Sequence, residues 1–162
     1  MDIRYLTQLN DNPTFTSPLS SNVLKLEPLT IDEIHALETT YNAGNAFPAV
    51  LRELLYIAGK SCYLFDYIGK TQDGVQQWAR ARILNDNDKE IPRPFYVIDV
   101  LGTTLFSFVY LDENKDDPVV YEALPEDEDE EANPDWIRSL DTALSTLIKD
   151  KLTSVLSGYG SH

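Results

Sequence analysis

At 162 residues with 43% hydrophobic content, the chain is long enough for one domain with a full core and too short for two. Its 13 Lys and Arg against 27 Asp and Glu leave a net charge of −14, which excludes nucleic acid and anionic membrane surfaces as partners, since both are bound through cations. A single cysteine, Cys62, excludes an internal disulfide and fits a reducing compartment.

The first ten residues, MDIRYLTQLN, lack the basic and apolar regions of a signal peptide, and no apolar run approaches the roughly 18 residues of a membrane span. A cytoplasmic protein is the expectation. Residues 1–29 read as an N-terminal extension: Pro13, Pro18 and Pro28 interrupt a Ser, Thr and Asn-rich stretch, and Val23, Leu24 and Leu26 fit a short edge strand. At Thr30 a helix begins, because Thr30 and Glu33 have the spacing of a capping box, in which hydroxyl and carboxylate each satisfy the other's backbone N–H. Ile31, Ile34, Leu37 and Tyr41 give it one apolar face, and residues 42–44 stop it.

Residues 47–59, FPAVLRELLYIAG, carry the widest apolar face of the chain. Phe47, Val50, Leu51, Leu54, Leu55, Ile57 and Ala58 fall within an arc of roughly 160°, so this helix is predicted to be a central core element. Pro48 suits its first position and Gly59 a left-handed cap at its end. With the preceding helix it forms an αα-hairpin.

After Gly59 the period changes to alternation, Tyr63, Phe65 and Tyr67 against Leu64 and Ile68, which predicts a strand over 62–68. Asp73 is placed to cap a helix running to about Leu84, with Val75, Trp78, Ala79 and Ile83 inside. PFYVIDV, a turn at 101–103 and TLFSFVYL then read as a hairpin, and residues 119–121 as a further strand. Counting 62–68, this makes about four strands, most simply one antiparallel sheet. Asn133 and Pro134 have the signature of a helix start, followed by a stripe of Trp136, Ile137, Leu140, Leu144, Leu147 and Ile148. Lys151 falls in that stripe, so firm packing is predicted to end near Ile148, and Leu54 and Trp136 to share one core.

Between the last strand and that helix stand six consecutive acids, Glu126, Asp127, Glu128, Asp129, Glu130 and Glu131. Six adjacent carboxylates repel one another and stay hydrated, and solubility alone explains many such runs. Here an aromatic-rich sheet lies just upstream, and aromatics beside a charged rim compose a protein-binding patch. Without the run the net charge is still −8, so acidity extends to the domain itself. The run, with Tyr63 and Tyr67, is the predicted partner-binding set, and its counterpart is a basic protein.

No catalytic, cofactor or metal residues are predicted. Asp112, Asn114 and Asp116, like Asp86, Asp88 and Glu90, alternate as in a calcium loop, but the sixth and twelfth positions hold Asp117 and Ala123, or Ile91 and Val97, instead of Gly and Glu. His35 and His162 have no ligand-spaced partner, Cys62 no evident histidine, and neither G-x-x-x-x-G-K-[ST] nor G-x-G-x-x-G occurs.

The order of elements and the phrase at 47–59 resemble the SUKH superfamily, which includes the yeast cell-wall-synthesis regulator and many bacterial immunity proteins. Leu37 and Glu38 match its "lE" pair, and Pro48, Leu51, Leu54, Leu55 and Gly59 its "P-x-x-(L/Y)-x-x-(F/L)-L" helix ending in Gly. Trp78, the IPRPFYV entry to a strand at 91–97 and a final helix extend the match over about 30–150, and Lys60 stands where a second glycine is commoner. The resemblance implies an α+β domain, a mainly antiparallel sheet of about four or more strands with helices packed on it, at 30–150, with a helix end and tail at 151–162. It also implies a non-enzymatic role: an immunity protein that binds and neutralises a toxin such as a basic nuclease, or else a regulatory or scaffolding protein with no toxin partner.

Overall fold

The computed structural model describes residues 1–125 and 135–158. After a short helix α1 (Thr7–Asn10), strands β1 (Thr14–Thr16) and β2 (Val23–Lys25) pair as a small antiparallel hairpin. The Thr30–Glu33 capping box opens α2 (Ile31–Tyr41) as predicted, both of its hydrogen bonds measuring 3.1 Å. The central helix α3 (Ala49–Ala58) follows, with Val50, Leu51, Leu54, Leu55 and Ala58 at 1% exposure or less.

Two details of α3 differ from expectation. Pro48, with ψ 144°, is the residue before the helix and not its first member. Gly59 has φ −70°, a right-handed conformation open to any residue. Glycine is needed there for space: a Cβ would lie 2.5 Å from Leu29 Cγ and 2.6 Å from the Leu55 carbonyl oxygen. The left-handed turn comes instead at the end of α2, where Gly44 has φ 83° and donates to the Glu38 carbonyl.

Residues 62–68 are not a strand. They form a loop in which Leu64, Phe65 and Tyr67 are buried and Ile68 has φ 51°, outside the extended region and costly for a β-branched side chain. Helix α4 (Gln72–Trp78) is capped by Thr71, whose hydroxyl accepts from Gly74 N–H at 3.1 Å; Asp73, the expected cap, accepts the Tyr41 hydroxyl. The helix continues as a π-helical segment (Ala79–Leu84) and a 3₁₀ turn (Asn85–Asn87), so the predicted end near Leu84 is a change of winding.

The main sheet is β3 (Phe95–Leu101), β4 (Leu105–Tyr110), β5 (Val119–Ala123) and β6 (Ile137–Ala143), antiparallel throughout in that order. Four strands are present, but the fourth is β6. Residues 137–143, expected as the first turns of the last helix, pair with β5, and α5 (Leu144–Leu156) begins after them. Ile137 and Leu140 fit a helical stripe, yet the ladder with β5 is what buries them part-way. Asp117, from the β4–β5 loop, caps the new helix start by accepting the Ser145 N–H at 2.9 Å. Trp136 is only half-buried, so the shared core expected of Leu54 and Trp136 is instead Leu54 with Ile148 and Leu152. Packing runs past Ile148 as far as Val155.

α5 touches α1, α3, β5 and β6. The N-terminal stretch therefore belongs to the core: Leu6 and Leu9 are 3% and 1% exposed, and the Glu53 carboxylate on α3 accepts the N–H groups of Arg4, Tyr5 and Leu6 at 3.0–3.1 Å. The chain is one α+β fold. Among the described residues no helix is long and apolar enough to cross a membrane.

Candidate interaction surface

The two edges of the main sheet are treated in opposite ways. In an antiparallel pair the backbone N–H and C=O of alternate residues point toward the partner strand and away from it, so an edge strand presents a row of unpaired groups. On β3 those outward groups are closed by side chains. The Gln76 amide lies against Val97 with both of its ends used: Nε2 donates to the Val97 carbonyl and Oε1 accepts the Val97 N–H, each at 2.8 Å. Arg80 donates to the Phe95 carbonyl at 3.1 Å, and Val100 N–H donates to the Asp66 carbonyl at 3.2 Å. A glutamine, an arginine and a loop carbonyl thus take the place of a fifth strand, and the loop 62–68 is part of this closure. Asp66 N–H donates in turn to Asp99 at 2.7 Å. Burial pushes the Asp99 carboxyl up to about 6, against the pull of that hydrogen bond and of Lys151.

The far edge is open. Leu124 N–H donates to the Trp136 carbonyl at 2.8 Å, which with the register Glu122↔Arg138 makes Trp136 and Arg138 the residues facing β5. Ile137 and Ser139 therefore aim their N–H and C=O outward, and among the described residues nothing pairs with them. Past Ser139 the strand bulges, the register shifting opposite Val119 and Tyr121, with Asp141 at φ 53° and its N–H held by the Ser139 hydroxyl at 3.1 Å.

The stretch of sequence that holds β5 and β6 carries most of the charge. Residues 111–143 carry thirteen acids and two bases, a net −11, so the remaining 129 residues account for only −3 of the −14. Arg138, one of those two bases, is ion-paired to Glu122 at 2.7 Å. Arg93, reaching in from the segment before β3, is paired with Asp112 at 2.6 Å and stacked 3.7 Å from the Tyr110 ring centroid. That pairing holds the Asp112 carboxyl below the usual carboxylate range.

Aromatic rings run beneath the charges. By register Phe95, Phe106, Phe108, Tyr110 and Tyr121 share one face of the sheet, the last contacts being Phe108–Tyr110 at 5.1 Å and Tyr110–Tyr121 at 4.8 Å. Tyr121, half-buried, ends the ladder directly opposite Ser139 of the open strand. A tyrosine at the margin of a packed aromatic cluster, bordered by Glu113 and the Arg93–Asp112 pair, has the make-up of a protein-binding anchor.

The predicted partner residues are distributed differently. The run at 126–131, like Asn133 and Pro134, lies outside the described residues; in sequence it joins β5 to β6. Tyr67 is buried, its hydroxyl donating to the Ala58 carbonyl at 3.0 Å, and presents no surface to a partner. Tyr63 is half-buried, stacked 5.6 Å from Phe15 and donating to the Asn12 carbonyl at 2.6 Å, so it ties the β1–β2 hairpin to the domain. Cys62 lines a cavity of about 530 Å³ with Lys60, Lys70, Thr71 and Gln72, where burial pushes its thiol up to about 11, away from thiolate reactivity. In the two calcium-like stretches Asp112 is taken by Arg93, and Asp86 faces Arg82 at 3.9 Å. Glu38 is buried and accepts the Phe47 N–H at 2.6 Å beside Arg52, which holds the α2–α3 hairpin together. The edge-closing Gln76 was missed; its sequence signal is an amide four residues after Gln72, both buried on the inner side of the helix.

No protein-family model, characterised protein or solved structure matches the chain.

Proposed function

We propose that this chain is a non-enzymatic, acidic protein-binding domain of the cytoplasm, an immunity protein that binds and neutralises a basic toxin domain such as a nuclease. The observation that carries the reading is the concentration of a net −11 in the stretch of sequence 111–143, whose described part holds β5 and β6, the open side of the sheet, with Tyr121 at the end of the aromatic ladder. Crowded carboxylates repel one another, and a docking cationic protein relieves that repulsion while accelerating encounter. The resemblance of Leu37, Glu38 and the 47–59 phrase to the SUKH superfamily supports the same role.

The test is surface-plasmon kinetics against the protein encoded by the adjacent gene, at about 50 and 300 mM salt. Association is expected to slow at least about tenfold at the higher salt, and again when Asp127, Glu128, Asp129 and Glu130 are neutralised. An association rate indifferent to both changes sinks the electrostatic account. No binding at all favours the regulatory or scaffolding role instead.

A further inference from the structure

We propose that the open edge of β6 takes up an extended, lysine- or arginine-bearing segment of a protein partner as a fifth strand of the main sheet. The proposal rests on the reading of the chain as a binder of basic proteins, and it names the place and the mode of that binding.

Three observations carry it. The first is asymmetry. A sheet edge left open invites strand pairing, and β3 shows how fully this chain closes one: Gln76, Arg80 and the Asp66 carbonyl occupy its outward groups. At β6 the corresponding groups of Ile137 and Ser139 have no such cover among the described residues. Two outward residues offer two donors and two acceptors, which suits a short extended segment.

The second is charge. Asp135 and Asp141, both exposed, flank the free stretch, and it lies within the segment carrying −11. A second copy of this chain, paired edge to edge about a two-fold axis, would bring two such segments together, so repulsion disfavours a symmetric dimer. A cationic strand gains from the same field. The bulge at Asp141 limits the free stretch to about three residues, so backbone bonds alone give little affinity and the charges decide which segment is accepted.

The third is the neighbouring surface. Strand side chains alternate between faces, so every second side chain of an added strand would stand beside Ser139 and, one strand further in, Tyr121, the half-buried end of the aromatic ladder. Backbone pairing, a cationic preference and an aromatic anchor then coincide at one edge.

The experiment titrates the full isotope-labelled chain with an acetylated, amidated octapeptide of alternating lysine and valine at low salt. Amide hydrogen exchange at Ile137 and Ser139 is expected to slow at least about fivefold, with Phe95 and Val97 unchanged. Ser139→Pro removes an outward N–H, and with it the hydroxyl that holds Asp141 N–H, but no backbone bond of the ladder to β5. It should weaken the peptide at least about tenfold while leaving the circular dichroism spectrum intact, and Ser139→Ala, which loses only the hydroxyl, should bind like the parent. The same peptide N-methylated at alternate residues should be weakened similarly against the unaltered chain, a measurement that does not depend on the variant folding. Shifts spread over the carboxylates with no slowing at Ile137 and Ser139, equal binding of the N-methylated peptide, or no binding at about 1 mM each overturn the proposal. If the adjacent-gene protein dissociates from Ser139→Pro and from the parent at the same rate, the edge is refuted and the immunity reading stands. If the peptide pairs with the edge while that protein does not bind, the edge stands and the immunity reading falls.

Discussion

Single side chains with two hydrogen-bonding ends settle much of the backbone in this fold. The Gln76 amide matches a peptide group, donor to acceptor and acceptor to donor, and the Glu53 carboxylate gathers three consecutive N–H groups that a chain turning into a short helix would otherwise leave unpaired. Asp99 is the counter-example, a buried carboxyl whose charge is a liability. It faces Asp66 from the 62–68 loop, Lys151 from α5, and the Cys62 and Tyr67 groups nearby. Its folded-state value of about 6 lies above the ordinary carboxyl value of 3.8, so folding favours the protonated form. The stabilisation is fully present below 3.8 and is lost as pH rises through about 6. Asp99→Asn, which keeps an oxygen for the Asp66 N–H, should therefore stabilise the protein at pH 7.5 by on the order of 2 kcal/mol, and the advantage should shrink toward pH 5. Urea midpoints at the two pH values measure this; an equal or negative effect at pH 7.5 would show that the ionised form is the one the fold prefers.

Among the elements, β3 depends on a helix that is not its strand neighbour. Gln76→Leu would strip Val97 of both outward hydrogen bonds at a cost of about 2–4 kcal/mol and reopen the edge. The expected signs are a lower urea midpoint and, by light scattering, association that grows with concentration; a variant as stable and as monomeric as the parent would remove Gln76 from its assigned role. The readable elements were those whose signals are local. The Thr30–Glu33 box, the α3 apolar arc and the β3–β4 hairpin each carry their instructions within one short contiguous stretch. The fourth strand was not readable, because residues 137–143 fit a helical stripe and become a strand only through pairing with β5. Residues 62–68 failed in the opposite sense: they alternate correctly, but the edge they would join is occupied by Gln76 and Arg80. At the interaction surface, the charge was visible and the open edge was not, since an edge exists only once the order of strands is known.

For the whole molecule the division of charge sets the response to salt. A net −11 within residues 111–143 concentrates self-repulsion in about a fifth of the chain. Raising NaCl from about 20 to about 300 mM should screen it and lift the melting temperature by about 5 °C. Neutralising Asp127, Glu128, Asp129 and Glu130 should remove much of that increment; a melting temperature flat in salt for the parent would mean the carboxylates already lie too far apart to repel.

The contact between α1 and α5 bears on how the chain is made. Leu6 and Leu9 line one cavity with Ile148 and Leu152, so these leucines leave the ribosome long before the residues that cover them. At about 5–20 residues per second, the roughly 140 positions between Leu9 and Leu152 take on the order of ten seconds. During that interval Leu6 and Leu9 have no permanent cover, while the α2–α3 hairpin and then the β3–β4 hairpin are completed. Docking α5 against α1 is then a late step of biogenesis, and a nascent chain that has not yet released α5 displays its core unsealed.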